Sequence, residues 1–310
     1  DLTLTGRTTR GLIQFRTLDI QSALNTKVVG SYSASLHLSL ANATELPDSF
    51  NIHALPVSSS WETGFGQRVD NPINTSGVTW KHKDVLTTQW TVLGGDYLAS
   101  PAASQSFDST SDYDIDINVT PAITGFYSGS LANNGFVLKI DDSYEDYVSS
   151  SIKLSYFGSD THTVFPPYLE MQWNDTVYSS TLTELSTDIA TVKIKNHKPE
   201  YVDSDKSRFR ISARPKYPTR TFSTGSIYLT NYKLPEASYW AIQDYHSQEM
   251  IIDFNTTFTK ISADNSSSYF DVYMDTLQPE RHYKLLIKTT LDGSDVVIDN
   301  NNVFKVVKNG

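Results

Sequence analysis

The chain has 310 residues, 38% hydrophobic and 12% aromatic, with a formal net charge of −10 and no cysteine. That length suits about two domains, and the composition can bury cores, which excludes a disordered chain. The charge argues against a general nucleic-acid binder, which needs a basic face, and the missing cysteine excludes disulfides, thiolate catalysis and cysteine-bound zinc.

No apolar run approaches the ~20 residues of a membrane span. The opening DLTLTGRTTRGLIQF lacks the continuous apolar stretch of a signal peptide, and the missing initiator Met reads as processing or a fragment. Period two then dominates. SYSASLHLSL alternates small or polar residues with Tyr32, Ala34, Leu36, Leu38 and Leu40, and YDIDINVT alternates Tyr113, Ile115, Ile117 and Val119 with Asp112, Asp114, Asp116 and Asn118. GFVLKI, SIKLSYF, ATVKIK, RFRISA, SIYLTNY, EMIIDF, YFDVYM, YKLLIKT, DVVID and VFKVV follow, bounded by Asn, Asp, Gly, Ser or Pro. Half-buried antiparallel strands have this form, since successive residues point to opposite faces.

Helix signals are few. Thr120–Tyr127 predicts about two turns, with Thr120 as N-cap and Pro121 at the first helical position; TRTFSTG is a weaker candidate. The low-hydrophobicity stretch NDTVYSSTLTELST separates the strand-like YLEMQW from ATVKIK, which places a boundary near residues 176 to 190 and gives domains 1–180 and 181–310. The fold class is all-β: two antiparallel β-sandwich domains of jelly-roll or Ig-like type.

Ser60–Asp96 holds three of the five tryptophans and five of the fifteen glycines. Two readings stand. Trp61, Trp80 and Trp90 anchor a long connection, which stays ordered only with its own apolar contacts, while Gly64, Gly66, Gly94 and Gly95 permit positive φ at its turns. Alternatively, the three indoles are a sugar-stacking platform.

The order of segments here is specific. RGLIQF (Arg10 to Phe15), SASLHLSL, WETGFG, GVTW, WTVLGGD, DIDINVT and NNGFVLKI, taken together, resemble the DNRLRE sandwich domains, related to disaggregatase and to alginate-binding modules, over roughly residues 8 to 175. WETGFG departs from the family's turn by placing Thr63 between Glu62 and Gly64. The resemblance implies a carbohydrate-binding-like β-sandwich. In the second half, Leu277, Pro279 and Tyr283 in TLQPERHYKLLIKT form an L-x-P-x-x-x-Y pattern similar to the tyrosine corner of fibronectin type III and Ig-like domains. That implies YKLLIKT as the following strand, with Asp292–Gly293 near the turn of the next hairpin. This half also resembles Ig-like parts of bacteriophage virion structural proteins.

Catalytic patterns are missing: no G-x-S-x-G, P-loop, dinucleotide fingerprint or H-E-x-x-H occurs. Seven histidines are scattered singly, with Asp160 and His162 a local pair lacking a third partner. DDSYED (Asp141, Asp142, Glu145, Asp146) is either a solvated loop or a Ca²⁺ site, a hard cation taking several oxygens; no other cofactor is expected. The expected function is a non-enzymatic structural component of a tailed bacteriophage virion, in the tail, neck, baseplate or on the capsid. It acts by assembly with copies of itself and neighbouring virion proteins, without nucleic acid or a membrane span. The alternative is an extracellular or cell-surface adhesin module recognising a host surface glycan. A polysaccharide lyase or hydrolase is a third reading.

Overall fold

The structure, a computed structural model, describes residues 2–5, 9–25, 27, 31–64, 76–84, 87–145, 152–159, 163, 165–219 and 230–309. Strands dominate it, and the chain divides into two compact units, Asp1–Gln172 and Trp173–Gly310. The expected division at 180/181 lies later. Val177 N donates to Ser262 Oγ and Ser179 N to Ala263 O, so this stretch belongs with the second unit.

The first unit runs β1 (Leu2–Thr5), β2 (Gly11–Ile13), α1 (Thr17–Leu24), β3 (Tyr32–Leu38), β4 (Leu40–Thr44), β5 (Ser49–Pro56), β6 (Ala103–Asp108), β7 (Ile115–Asn118), α2 (Thr120–Ser128), β8 (Phe136–Ile140), α3 (Asp142–Glu145), β9 (Lys153–Tyr156) and β10 (Tyr168–Trp173). Its sheets are ordered β1-β9-β4, β10-β3-β7 and β2-β8-β5-β6. In β3, Tyr32, Ala34, Leu36 and Leu38 are buried while Ser33, Ser35 and His37 are not, as alternation demands. β7 does the same with Ile115 and Ile117 against Asp116 and Asn118.

Leu40 departs from the expected run. The strand breaks at Ser39, and Leu40 opens β4 on β9 with a register shift before Asn42, which leaves it half-buried. The helix at residue 120 forms, but Val119 is its N-cap. Thr120 Oγ1 accepts from Ala34 N at 2.8 Å instead, fastening the helix start to β3. Gly129, at φ 76, ends this helix in the left-handed conformation. The sequence reading missed α1, which lies against α2 and buries only Ile20 and Leu24, one turn apart, with no side-chain cap.

The second unit runs β11 (Ala190–Lys195), β12 (Glu200–Val202), β13 (Lys206–Pro215), β14 (Ser238–Asp244), β15 (Met250–Ile252), β16 (Ser262–Ala263), β17 (Ser268–Tyr273), a 3-10 turn (Met274–Thr276), β18 (His282–Leu291) and β19 (Ser294–Val307). Two sheets, β11-β13-β17-β16 and β12-β19-β18-β14-β15, feed one core: Val192, Phe209, Ile211 and Phe270 from the first meet Tyr283, Leu285, Ile287 and Phe304 from the second. Pairing is not wholly antiparallel, because β12 runs parallel to β19. Leu291 pairs with Ser294 across Asp292 and Gly293, both at positive φ, as a two-residue hairpin of right-handed strands requires. Residues 220–229, holding most of TRTFSTG and SIYLTNY, lie outside the described residues.

Candidate functional site

β8 is buried at every position, so it has two covered faces. Phe136, Leu138 and Ile140 share one face, with Phe136 against Phe126 of α2; Val137 and Lys139 share the other. The described parts of the connection after β5, residues 57–64, 76–84 and 87–102, supply the packing on that second face. Leu55, Val57, Trp90 and Val137 form a small separate core, with Leu12, Trp61, Val78 and Tyr97 packed around it.

The tryptophans are built into this cover. Trp90 is 5% exposed and its Nε1 donates to Thr79 O at 3.0 Å. Trp61 is half-buried and donates to Asn134 O at 2.7 Å. Trp80, also half-buried, carries the Arg10 guanidinium 5.0 Å from its ring centre, and a Cβ on Gly94 would stand 2.5 Å from its ring. Gly64 and Gly77 approach closely enough that a Cβ on either would meet the other's backbone. Asp96 closes the loop: its carboxylate accepts from Thr91 N, Val92 N and Ser59 Oγ, while its carbonyl accepts from Ser58 N. Burial would raise the Asp96 carboxyl, but these donors outweigh it and hold it below its ordinary value.

A charged cluster sits beside this small core. Arg10 grips Glu145 through Nε and Nη2 at 2.6 and 2.8 Å, and its Nη1 donates to Gly94 O. Lys139 Nζ is 3.2 Å from Glu145 and pairs with Asp142. Tyr97 lies under both cations. Burial would raise the Glu145 carboxyl; the Arg10 hydrogen bonds and the two positive charges instead hold it below its ordinary value. Next to it, Asp141 accepts from Asn51 N at 2.7 Å and meets His53 Nε2 at 2.8 Å.

The described part of the acidic run, Asp141 to Glu145, is partly exposed and partly tied to bases. Asp142–Glu145 is one helical turn; Glu145, 5% exposed, meets Arg10 and Lys139, exposed Asp142 meets Lys139, and Asp141 meets His53 and Asn51. Among the described residues no group of three or more His, Asp or Glu is placed to hold a metal ion. Asp146, Asp160, His162 and Gly66 lie outside the described residues.

His37 Nε2 stands 3.0 Å from Glu170 and 3.5 Å from Asp116, with its ring stacked on Tyr168. In the second unit, Tyr283 is 1% exposed and its Oη donates to Gln278 O at 2.9 Å, with Leu277 buried and Pro279 exposed at the turn. The sequence reading missed Arg10, Lys139, His53 and His37 as partners. The only available signal was a lysine inside an otherwise apolar strand, GFVLKI. Comparison of the chain with protein families, with characterised proteins and with solved structures finds no match.

Proposed function

We propose that the chain is a non-enzymatic structural component of a tailed bacteriophage virion that works by protein–protein assembly. The observation that carries this reading is the fate of its chemically versatile side chains. All three tryptophans of the long connection and the acids of the α3 turn are committed to internal contacts. Apolar side chains reach solvent at scattered positions, with Leu18, Val92, Leu93, Phe165 and Tyr217 each more than half exposed. Such surface suits docking between subunits. The second unit supports an Ig-like sandwich within this reading. Lettered in chain order, with β12 as A′ and β15 as C′, its sheets read A-B-E-D and A′-G-F-C-C′, and Tyr283 occupies the corner position.

The glycan-binding reading retains one foothold, since Trp61 and Trp80 are half-buried rather than sealed. Native mass measurement and electron microscopy of the full chain, beside a glycan array on the same sample, separate the two. A defined ring, trimer or filament with no glycan signal is expected. A monomer that binds one glycan class, and loses it in Trp61→Ala or Trp80→Ala, overturns assembly in favour of recognition.

A further inference from the structure

The ten net negative charges are unevenly shared. Asp1–Gln172 has nine Lys and Arg against eighteen Asp and Glu, whereas Trp173–Gly310 has sixteen against seventeen. Each unit also gathers one sign on the outer face of one sheet.

In the second unit, β13 alternates Lys206, Arg208, Arg210 and Arg214 with the buried Phe209, Ile211 and Ala213, so the cations share the outer face. β11 adds Lys193, opposite Ser212, and Lys195, opposite Arg210. Tyrosines of β17 lie between them: Arg208 stands 4.3 Å and Arg210 5.4 Å from the Tyr269 ring, and Lys206 4.6 Å from Tyr273. Among the described residues, two acids pair with three of these six cations. Asp271 takes Arg208 and Lys206, and Asp264 takes Arg210. Lys193 and Lys195 are exposed and make no ion pair among the described residues.

In the first unit, the outer face of β10-β3-β7 has the opposite character. Asp116 of β7 lies opposite His37 of β3, and Glu170 of β10 flanks the same ring. Asp114, exposed, keeps the same alternation just before β7 and accepts from Leu40 N at 2.7 Å. No Lys or Arg pairs with any of these three acids among the described residues, and Tyr168, 53% exposed, gives the face its apolar floor.

We propose that these faces are the two halves of a contact between copies: the basic β11-β13-β17 face of one chain docks on the acidic β10-β3-β7 face of the next. The inference rests on the assembly reading and names its contact. A surface that meets a different surface on its neighbour is heterologous, so it builds a ring if the rotation closes and a filament if it does not. Opposed charge steers and registers the encounter, while the tyrosines of both faces supply burial at its centre. A second copy is favoured over an external polyanion because every chain carries the complementary face in equal number, and a chain of net charge −10 repels polyanions at long range.

Sedimentation velocity of the full chain at about 0.1 M and about 1 M salt tests it, since the screening length falls from about 10 Å to about 3 Å. Association is expected at the lower salt and at least roughly tenfold weaker at the higher. Two variants follow, Lys193→Glu with Lys195→Glu, and Asp116→Lys. Each alone is expected to be monomeric with wild-type melting, and their equimolar mixture to regain association. Lys193→Ala with Lys195→Ala gives a milder variant, expected to weaken association several-fold. An assembly indifferent to salt and to both reversals overturns this contact while leaving the assembly reading in place. A monomer at both salts overturns both, and heparin binding lost in the Lys193→Glu, Lys195→Glu variant would then reassign the basic face to an external polyanion.

Discussion

Replacing Glu145 with Gln keeps the shape of the α3 turn and removes the one carboxylate shared by Arg10 and Lys139. The side chains of Arg10, Glu145 and Lys139 are 11, 7 and 5% exposed, so the two cations would face each other with little water. Asp142 remains beside Lys139, but its side chain is 87% exposed. Removing one partner of a buried ion pair costs about 3–5 kcal/mol. For a unit of this size each kcal/mol moves the melting temperature by about 2–4 °C, so a fall of roughly 6–20 °C is expected. Tryptophan fluorescence during thermal and urea unfolding reads it, because Trp61, Trp80 and Trp90 lie in the first unit and the transition of the second unit is an internal reference. The Glu145 carboxyl is held below its ordinary value in the folded state. Its contribution is therefore complete above the unfolded value, about pH 4.5, and is lost as the pH falls through the folded one, so Glu145→Gln flattens the acid side of the stability profile. A shift below about 2 °C, the scale of an exposed pair, would refute the argument. Stabilisation of the wild-type chain by millimolar Ca²⁺ would equally refute it, by showing the acids to be available ligands.

Three further outcomes are expected. Tyr283→Phe removes the bond to Gln278 O and lowers the stability of the second unit alone by about 0.5–1.5 kcal/mol, the net worth of one hydrogen bond, measured by urea unfolding. Gly94→Ala places a Cβ at φ 87 against the Trp80 ring, so it costs more than about 1 kcal/mol and alters Trp80 emission; an unchanged spectrum and melting temperature would contradict the packing. The triple change Arg10→Met, Lys139→Leu and Glu145→Leu is neutral to stabilising by about 1–4 kcal/mol, offset by about 1 kcal/mol for the donor lost to Gly94 O, and denaturation midpoints measure the difference.

Local rules made much of the fold legible. β3 and β7 follow alternation, the Asp292–Gly293 hairpin follows turn chemistry, and the Leu277–Tyr283 spacing encodes a corner whose hydroxyl bond closes over five residues. What sequence could not supply is long-range pairing. Glu145 is read by Arg10 across 135 positions and Asp141 by His53 across 88, so DDSYED looks solvated until the sheet brings its bases over. The tryptophans pose the same difficulty in apolar form. The composition of Ser60–Asp96 predicts a loop with its own anchors, but which indole is sealed depends on the second face of β8, and a strand buried on both faces loses the alternation that would announce it. α1 escaped for a weaker reason, since two apolar residues one turn apart, without a cap, do not rise above background.

Acidic residues differ in what neutralises them. Those near the interior are each fixed by a base or by amides: Glu145 by Arg10 and Lys139, Asp141 by His53 and Asn51, Asp96 by Thr91 and Val92, Asp271 by Arg208. Those on the outer face of β10-β3-β7 have no Lys or Arg partner among the described residues, while Lys193 and Lys195 stand without a carboxylate on the other unit's sheet. A surface whose only demand is solubility does better with signs interspersed, because like charges gathered on one face repel. Segregation of this kind is relieved when a face of opposite sign covers it. The chain carries that opposite face itself, which is why charge reversal on one face and its rescue by the reverse change on the other discriminates between an assembly contact and a merely solvated surface.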